Sequence, residues 1–119
     1  MKIELKQQFQ IESARFLPHL DKSHPCSRTH GHSFVILFTL QGPLKQPQSW
    51  LIDYNEIQQK IGPLIQQIDH KLLNDIDGLE NPTTENLCIW LYEKAKKVLP
   101  EVTKVTIKET PLTECSYPI

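Results

Sequence analysis

The stretch HGHSFVILFTLQ, residues 30–41, combines two closely spaced histidines with a run of apolar side chains. From Phe34 to Leu40 almost every position is apolar, and successive side chains of a strand point to opposite faces of a sheet. Such a strand carries apolar side chains on both faces, so neither face of its sheet can be left in water. We therefore predict a central strand at about 30–41, in a sheet that is covered on both sides.

Three other segments have the pattern of strands. In residues 2–13, apolar side chains alternate loosely with polar ones, which predicts a first strand with a β-bulge near Gln7. Two shorter strands are predicted at about 102–109 and 113–118, on either side of a turn around Pro111.

Two helices are predicted between the second and third strands. The first is capped by Asp53 and ends near Asp69, and the second begins at Pro82 or the two threonines after it and is closed by Pro100. Both have an apolar stripe at helical spacing, formed by Ile57, Ile61, Leu64 and Ile68 in the first and by Leu87, Trp90, Leu91, Val98 and either Lys94 or Ala95 in the second. Because two helices can cover only one face of the sheet, we infer that another subunit buries the other face.

Length and composition limit the class of protein. The chain has 119 residues, of which 39% are hydrophobic and 23% charged, which is typical of one globular domain, 1–119. A formal net charge of −1 and a pI near 6.5 leave no excess of basic side chains for nucleic acid or an anionic membrane surface. No apolar run is long enough to cross a bilayer, and the three cysteines lack the pattern of a disulfide framework. We therefore expect a cytoplasmic protein that binds neither nucleic acid nor membranes.

A cysteine and two histidines lie close together in the sequence. Side chains two apart on a strand share a face, so the imidazoles of His30 and His32 can reach one metal ion, and Gly31 leaves space for a bound group. Cys26 lies in the polar loop 18–29, where nearby histidines and a cation would favour a thiolate that acts as base or nucleophile. An incidental histidine pair and an unreactive loop cysteine are the alternatives.

Two carboxylates are further candidates. Asp69 could orient a catalytic His70, although a histidine that interacts with the end of the first helix would give the same pair. Glu109 follows Val105 and Ile107 at strand spacing, which places a carboxylate on the inward face of a strand, where it needs a hydrogen-bond donor. That donor is either a ligand with paired N–H groups or a buried salt bridge.

In order and spacing, several fragments together resemble the 6-pyruvoyltetrahydropterin synthase and 6-carboxytetrahydropterin synthase superfamily: IESARFLPH, CSRTHGHSF, LIDYNEI, IDHKLLND, LENPTTENL and IKET. The short gap between Cys26 and His30 is similar to the bacterial carboxy branch, which feeds queuosine and 7-deazaguanine synthesis. The resemblance implies an α+β tunnelling fold (T-fold) of order ββααββ, a four-stranded antiparallel sheet with two helices on one face. It also implies a barrel completed by oligomerisation, with sites between the subunits of trimeric rings, hexamers or tetramers.

The resemblance to the carboxy branch further implies a lyase that converts 7,8-dihydroneopterin triphosphate to 6-carboxy-5,6,7,8-tetrahydropterin, with release of acetaldehyde and triphosphate. A zinc ion would make C–H bonds beside the substrate hydroxyls more acidic. By this resemblance, zinc is bound by His30 and His32, a proton is removed by Cys26, a relay is formed by Asp69 and His70, and the pterin ring is anchored by Glu109.

One position departs from the pattern of that family. There the first strand ends in a motif like E-A-A-H, whose histidine is the third zinc ligand, whereas this chain has E-S-A-R, ending at Arg15. Arginine has no free lone pair for a metal. Three outcomes stay open: His19, His24 or Cys26 completes the zinc site, zinc binds more weakly with extra water, or Arg15 replaces the metal's charge and binds substrate phosphates or an anionic intermediate.

This departure leaves two rivals to the carboxy-forming enzyme. The first is a non-catalytic pterin-binding oligomer that has lost its metal. The second is the pyruvoyl enzyme, which eliminates triphosphate without losing side-chain carbon.

Overall fold

Four antiparallel strands form one sheet in the order β1-β2-β3-β4. The computed structural model describes residues 1–119, with strands β1 (Lys2–Arg15), β2 (His30–Pro43), β3 (Val102–Thr110) and β4 (Thr113–Tyr117) and helices α1 (Tyr54–Ile68) and α2 (Thr84–Val98). Both helices lie between β2 and β3 in the chain. The predicted order ββααββ is confirmed.

The core lies between β2 and the two helices. Phe34, Ile36, Phe38 and Leu40, which alternate along β2, are completely buried and belong to one apolar cluster with residues of α1 and α2. On the opposite face of β2 the apolar side chains are only half-buried. The helices therefore cover one face, as predicted, and burial of the other face by a second subunit stays a prediction.

The predicted bulge near Gln7 is wrong. The pairing of β1 with β2 runs without a shift from Lys2 opposite Pro43 to Arg15 opposite His30. The large apolar residues of β1, Ile3, Leu5, Phe9 and Ile11, all have odd numbers, so one unbroken strand already places them on the same face as Gln7. The register shifts occur elsewhere, between Thr39 and Leu40 and after Ile107.

Both helices begin at side-chain caps. Asp53 accepts a hydrogen bond of 2.9 Å from the backbone of Asn55, and Thr83 accepts one of 3.1 Å from the backbone of Asn86. Because Thr83 is the cap of α2, the side chain of Thr84 is free for another use. Neither helix has the length and apolar character needed to span a lipid bilayer.

One prediction for the apolar stripe of α2 is also wrong. Val98 is 41% exposed, although Trp90, Leu91 and Ala95 are buried as expected. The helix ends at Val98, and the next residue, Leu99, is fully buried in its place. The stripe therefore ends one turn earlier than helical spacing alone predicts.

The cap of α1 gives a test of helix stability. We expect Asp53→Ala to lower the free energy of unfolding by about 1 kcal/mol, because the Asn55 N–H loses its acceptor at the helix start. Asp53→Asn, which keeps an acceptor oxygen, is the control and should stay within about 0.5 kcal/mol of wild type. Urea denaturation followed by circular dichroism measures both, and equal losses in the two variants would contradict the capping role.

The segment after α1 is fixed to the end of β1. The backbone N–H of His70 donates to the carbonyl of Glu12 at 2.7 Å, and that of Ala14 donates to the carbonyl of Lys71 at 2.9 Å. The side chain of Asn74 then binds both the N–H and the carbonyl of Phe16, at 3.0 and 2.8 Å. These bonds hold the segment that carries Asp69 and His70 against the strand that ends at Arg15.

Candidate functional site

The neighbouring ends of β1, β2 and β3 bring four predicted site residues together on the helix-covered face. Arg15 lies directly opposite His30 in the sheet. The ring centroids of His30 and His32 are 4.4 Å apart, and His32 Nδ1 is 4.0 Å from Glu109 Oε2. We call Arg15, His30, His32 and Glu109 the strand-end cluster. Residues far apart in the sequence thus meet as the strand pattern requires, while their chemical roles stay predictions.

Arg15 is the most enclosed member of the strand-end cluster, with only 5% of its surface exposed. Its Nη2 lies 2.5 Å from Glu109 Oε1, and its Nη1 donates to the carbonyl of Pro82 at 3.1 Å and to Thr84 Oγ1 at 3.2 Å. Its guanidinium carbon is 5.3 Å from the centroid of the Phe34 ring. Of the two donors considered for Glu109, the structure shows the salt bridge.

Thr84 completes the hydrogen bonding of Glu109. Its hydroxyl donates a short hydrogen bond to Glu109 Oε1, the same oxygen that pairs with Arg15. The sequence places Thr84 only near the start of the second helix. The signal that was missed is the pair of adjacent threonines, because only one of them can cap the helix and the other is left to turn toward the sheet.

The charges of the cluster act on two pKa values. Burial opposes ionisation of Glu109, but the hydrogen bonds from Thr84 and Arg15 and the charge of Arg15 outweigh it and hold the pKa of Glu109 below its usual value. The pKa of His32 is lowered mainly by burial, and the charge of Arg15 is the next largest cause. At neutral pH the cluster therefore holds a carboxylate, a guanidinium and a neutral His32.

In the histidine pair, the ring of His30 is oriented by a hydrogen bond, and one nitrogen of His32 has no hydrogen-bond partner. His30 Nδ1 lies 2.6 Å from the carbonyl of Arg28, which can only accept, so Nδ1 donates to that carbonyl. His32 Nε2 is buried and has no hydrogen-bond partner, and the same is true of Arg15 Nε. Buried polar atoms normally have partners, so these two nitrogens mark a place where a further group is expected.

Asp69 and His70 form a second group beside the end of β1. Asp69 Oδ1 is 2.9 Å from His70 Nδ1 and accepts the backbone N–H of Glu12 at 3.0 Å. The backbone of His70 has a left-handed φ of 57°, and its side chain is 76% exposed. The carboxylate therefore orients an accessible imidazole. An open cleft of about 490 Å³ joins this group to His32, and it is lined by Glu12, Ser13, Ala14, Gly31, His32, Ser33, His70 and Lys71.

Cys26 lies in a short turn, Pro25–Ser27, near the end of β1. Its carbonyl accepts the N–H of Leu17 at 2.7 Å, and its own N–H donates to His24 Nδ1 at 3.1 Å. Its side chain is half-buried, and no hydrogen bond joins the thiol to the strand-end cluster within one chain. The role of Cys26 as a base stays a prediction.

The residues present do not fit a zinc site with three protein ligands. No three His, Cys, Asp or Glu side chains of the chain are grouped closely enough to hold one ion. His24 already accepts a hydrogen bond from the Cys26 backbone, and Arg15, which pairs with His30 in the sheet register, has no lone pair for a metal. Zinc sites in proteins take at least three nitrogen, sulfur or oxygen donors. Here the two imidazoles lie together, but the nearby carboxylate of Glu109 is bound by Arg15 and Thr84.

The other two cysteines differ in their surroundings, because Cys115 lines a cleft beside Glu109 whereas Cys88 lies in the core. Cys88 is fully buried in α2, and its thiol donates to the carbonyl of Val105 at 3.1 Å. The pKa of the Cys88 thiol is raised to about 12, mainly by burial and next by the neighbouring Cys115. This thiol is structural.

We expect Cys88 to resist alkylation in the folded protein. With a pKa of about 12, only about one Cys88 thiol in ten thousand is ionised at pH 8, and the thiolate is the reactive form. Iodoacetamide labelling at pH 8, read by mass spectrometry, should modify Cys88 only after denaturation. The half-buried Cys26 is the internal control, and native labelling of Cys88 as fast as that of Cys26 would contradict this reading.

Comparison with solved structures identifies the fold. The chain superposes on the structure of Caenorhabditis elegans 6-pyruvoyl tetrahydropterin synthase with a TM-score of 0.90, at 23% sequence identity and with coverage of 98% of this chain and 95% of that one. The predicted T-fold, with four antiparallel strands and two helices, is therefore confirmed.

Comparison of sequences identifies the family. Residues 4–118 match the family model described as 6-pyruvoyl tetrahydropterin synthase. The chain is 32% identical to the 6-carboxy-5,6,7,8-tetrahydropterin synthase of a Synechocystis species, over 92% of this chain and 88% of that protein. It is 30% identical to the dihydroneopterin monophosphate aldolase of Pyrococcus furiosus, over 69% of this chain and 68% of that protein. The chain therefore belongs to the 6-pyruvoyl tetrahydropterin synthase family.

Proposed function

We propose that this protein is a 6-carboxytetrahydropterin synthase, which converts 7,8-dihydroneopterin triphosphate to 6-carboxy-5,6,7,8-tetrahydropterin with release of acetaldehyde and triphosphate. The family match and the similarity to the Synechocystis enzyme support this choice. The observation that carries it is the position of Glu109, an ionised carboxylate beside His32 at the end of the sheet.

Glu109 has the chemistry to hold a pterin ring. Arg15 and Thr84 both bind its Oε1, whereas Oε2 has no hydrogen bond and lies 4.0 Å from His32. The amino-pyrimidine edge of a pterin presents adjacent N–H groups, which a carboxylate accepts in a charge-assisted pair. Two clefts of about 260 and 320 Å³ border Glu109 and give a ring access to it. In this proposal Arg15 and Thr84 are positioning residues that orient the anchor.

The chain also offers bases for the side-chain chemistry. The reaction needs a proton removed from carbon beside a side-chain hydroxyl and a proton returned to the ring. Cys26 is the proposed base, and His70, oriented by Asp69 at 2.9 Å, is the proposed relay. General acid–base catalysis of this kind contributes roughly 10²–10⁴-fold. Ser33 lines both the cleft of His32 and one of the clefts of Glu109, so the two groups lie along connected surface.

A homo-oligomer is part of the proposal. β1 is a long edge strand of 14 residues, and its outer edge pairs with no other strand of the chain, although the segment after α1 bonds to Glu12 and Ala14 at one end. Exposed strand edges of this length are normally paired or protected. Pairing between subunits would close a barrel and would bring a second chain close to the half-buried Cys26, which no hydrogen bond joins to the cluster of its own chain.

A product assay tests the proposed reaction. The purified protein is incubated with 7,8-dihydroneopterin triphosphate, and the pterin product is identified by mass spectrometry. The 6-carboxy product with free acetaldehyde is expected. A product that has lost triphosphate but kept its side-chain carbon would identify the pyruvoyl reaction instead. Turnover of dihydroneopterin monophosphate alone would point to the reaction named for the Pyrococcus relative.

A non-catalytic pterin-binding oligomer is the second candidate, because the Arg15–Glu109 ion pair occupies one oxygen of the anchor. This candidate predicts pterin binding by calorimetry that is lost in Glu109→Gln, without any product. Detection of the carboxy product would exclude it.

A further inference from the structure

We propose that the strand-end cluster works without a zinc ion, and that the guanidinium of Arg15 is the fixed positive charge of the site. This inference rests on the proposed function only in assuming that the cluster is the active site. It concerns the metal content of that site and selects one of the outcomes that the sequence leaves open.

The first argument is the position of the guanidinium. Arg15 pairs with His30 in the sheet register, and its guanidinium binds Glu109. The other oxygen of Glu109 is 4.0 Å from His32 Nδ1, so a cation lies on the imidazoles' side of the sheet at the position where the third ligand is expected. A permanently charged guanidinium cannot donate a lone pair to a metal, and it repels a divalent ion. Any zinc held by the two histidines would have this charge among its nearest neighbours.

The second argument is that Arg15 cannot easily move away. The residue is 5% exposed, and its hydrogen bonds reach Glu109, Thr84 and the carbonyl of Pro82. Its guanidinium also faces the ring of Phe34. Displacing the guanidinium would break these contacts and leave the carboxylate of Glu109 without its partner.

The third argument is the kind of group that the cluster still needs. Arg15 Nε is buried without a partner, and this N–H can only donate. A cation cannot satisfy a donor, whereas an oxygen atom of water or of a bound substrate can. His32 Nε2 also lacks a partner, and a water or substrate hydroxyl can bond to both nitrogens, whereas a metal ion could satisfy only the imidazole. The two nitrogens together therefore favour an oxygen ligand over a metal ion.

The experiment measures zinc in the protein itself. Wild type, Arg15→His, Arg15→Gln and the double variant Arg15→His/His30→Ala are incubated with zinc chloride and desalted, and their zinc is counted by mass spectrometry. Wild type and Arg15→Gln should retain little zinc. Arg15→His should retain about one per subunit, because it gives three imidazoles on one face. The double variant should lose this zinc again, and zinc should raise the melting temperature of Arg15→His alone.

Two results would overturn the inference. One is wild-type protein that retains stoichiometric zinc and loses it in His30→Ala. The other is a folded Arg15→His variant, judged by circular dichroism, that retains no more zinc than Arg15→Gln. The wild-type measurement alone decides the question if the variants do not fold. Zinc-free protein without turnover would refute the proposed function and leave this inference intact. Turnover that is abolished by a chelator and restored by zinc would refute this inference and leave the proposed function intact.

Discussion

Replacing Arg15 by alanine is expected to lower the free energy of unfolding by about 3 kcal/mol, since removing one partner of a buried ion pair leaves the other charge uncompensated. We expect the lower end of the usual range because the side chain of Glu109 is 24% exposed and keeps some hydration. The variant also loses the hydrogen bonds to Pro82 and Thr84 and the contact with Phe34. Urea denaturation at a fixed protein concentration measures the loss, since subunit association would otherwise shift the midpoint.

The control separates the loss of charge pairing from the loss of packing. In Arg15→Met/Glu109→Gln both charges are absent and the volume is largely kept, so most of the stability should return. Glu109→Gln alone should be less stable than the double variant, because it leaves the buried guanidinium of Arg15 unpaired. Equal stability of wild type and Arg15→Ala would show that the ion pair contributes nothing to folding, and with it the positioning role of Arg15 would be lost.

The fold was predictable because its signals are local and repeat along the chain. The apolar run of β2, the cap at Asp53 and the prolines that bound α2 each define an element without reference to distant residues. The errors at Gln7 and Val98 have one physical origin. The spacing of apolar residues indicates on which face of a strand or helix a side chain lies. It does not indicate where the pairing register of two strands shifts, or where the core stops covering that face.

The site was predictable only in part. Strand spacing correctly placed Glu109 on the inward face and the two histidines on one side of β2, and the antiparallel register brought them together. What Arg15 contacts could not be derived in this way. Its partners Thr84 and Glu109 come from elements far along the chain, and the choice between a substrate phosphate and an internal carboxylate depends on tertiary distances. The location of the Cys26 thiol depends on loop geometry, which has no sequence period.

The largest expected effect on activity is that of Cys26→Ala, which should reduce turnover of 7,8-dihydroneopterin triphosphate by about 10²–10⁴-fold, the usual contribution of a general base. Pterin affinity should change little, because the proposed anchor is Glu109. Cys26→Ser should also be slow, since a hydroxyl ionises far less readily than a thiol. Cys88→Ala, which removes a thiol buried in the core and facing no cleft, is the control and should keep its rate in folded protein.

The pattern of rates across these variants identifies the base. If Cys26 removes the proton, the loss in Cys26→Ala appears in kcat with little change in KM, because the residue acts in the transition state and not in ring binding. If His70 removes it alone, Cys26→Ala keeps nearly full turnover and His70→Ala loses it, and the assignment of Cys26 is wrong. Asp69→Asn then reports on orientation, because the amide no longer holds the His70 Nδ1 proton at 2.9 Å. A loss in Asp69→Asn that parallels His70→Ala would assign the two residues to one relay, whichever group takes the first proton.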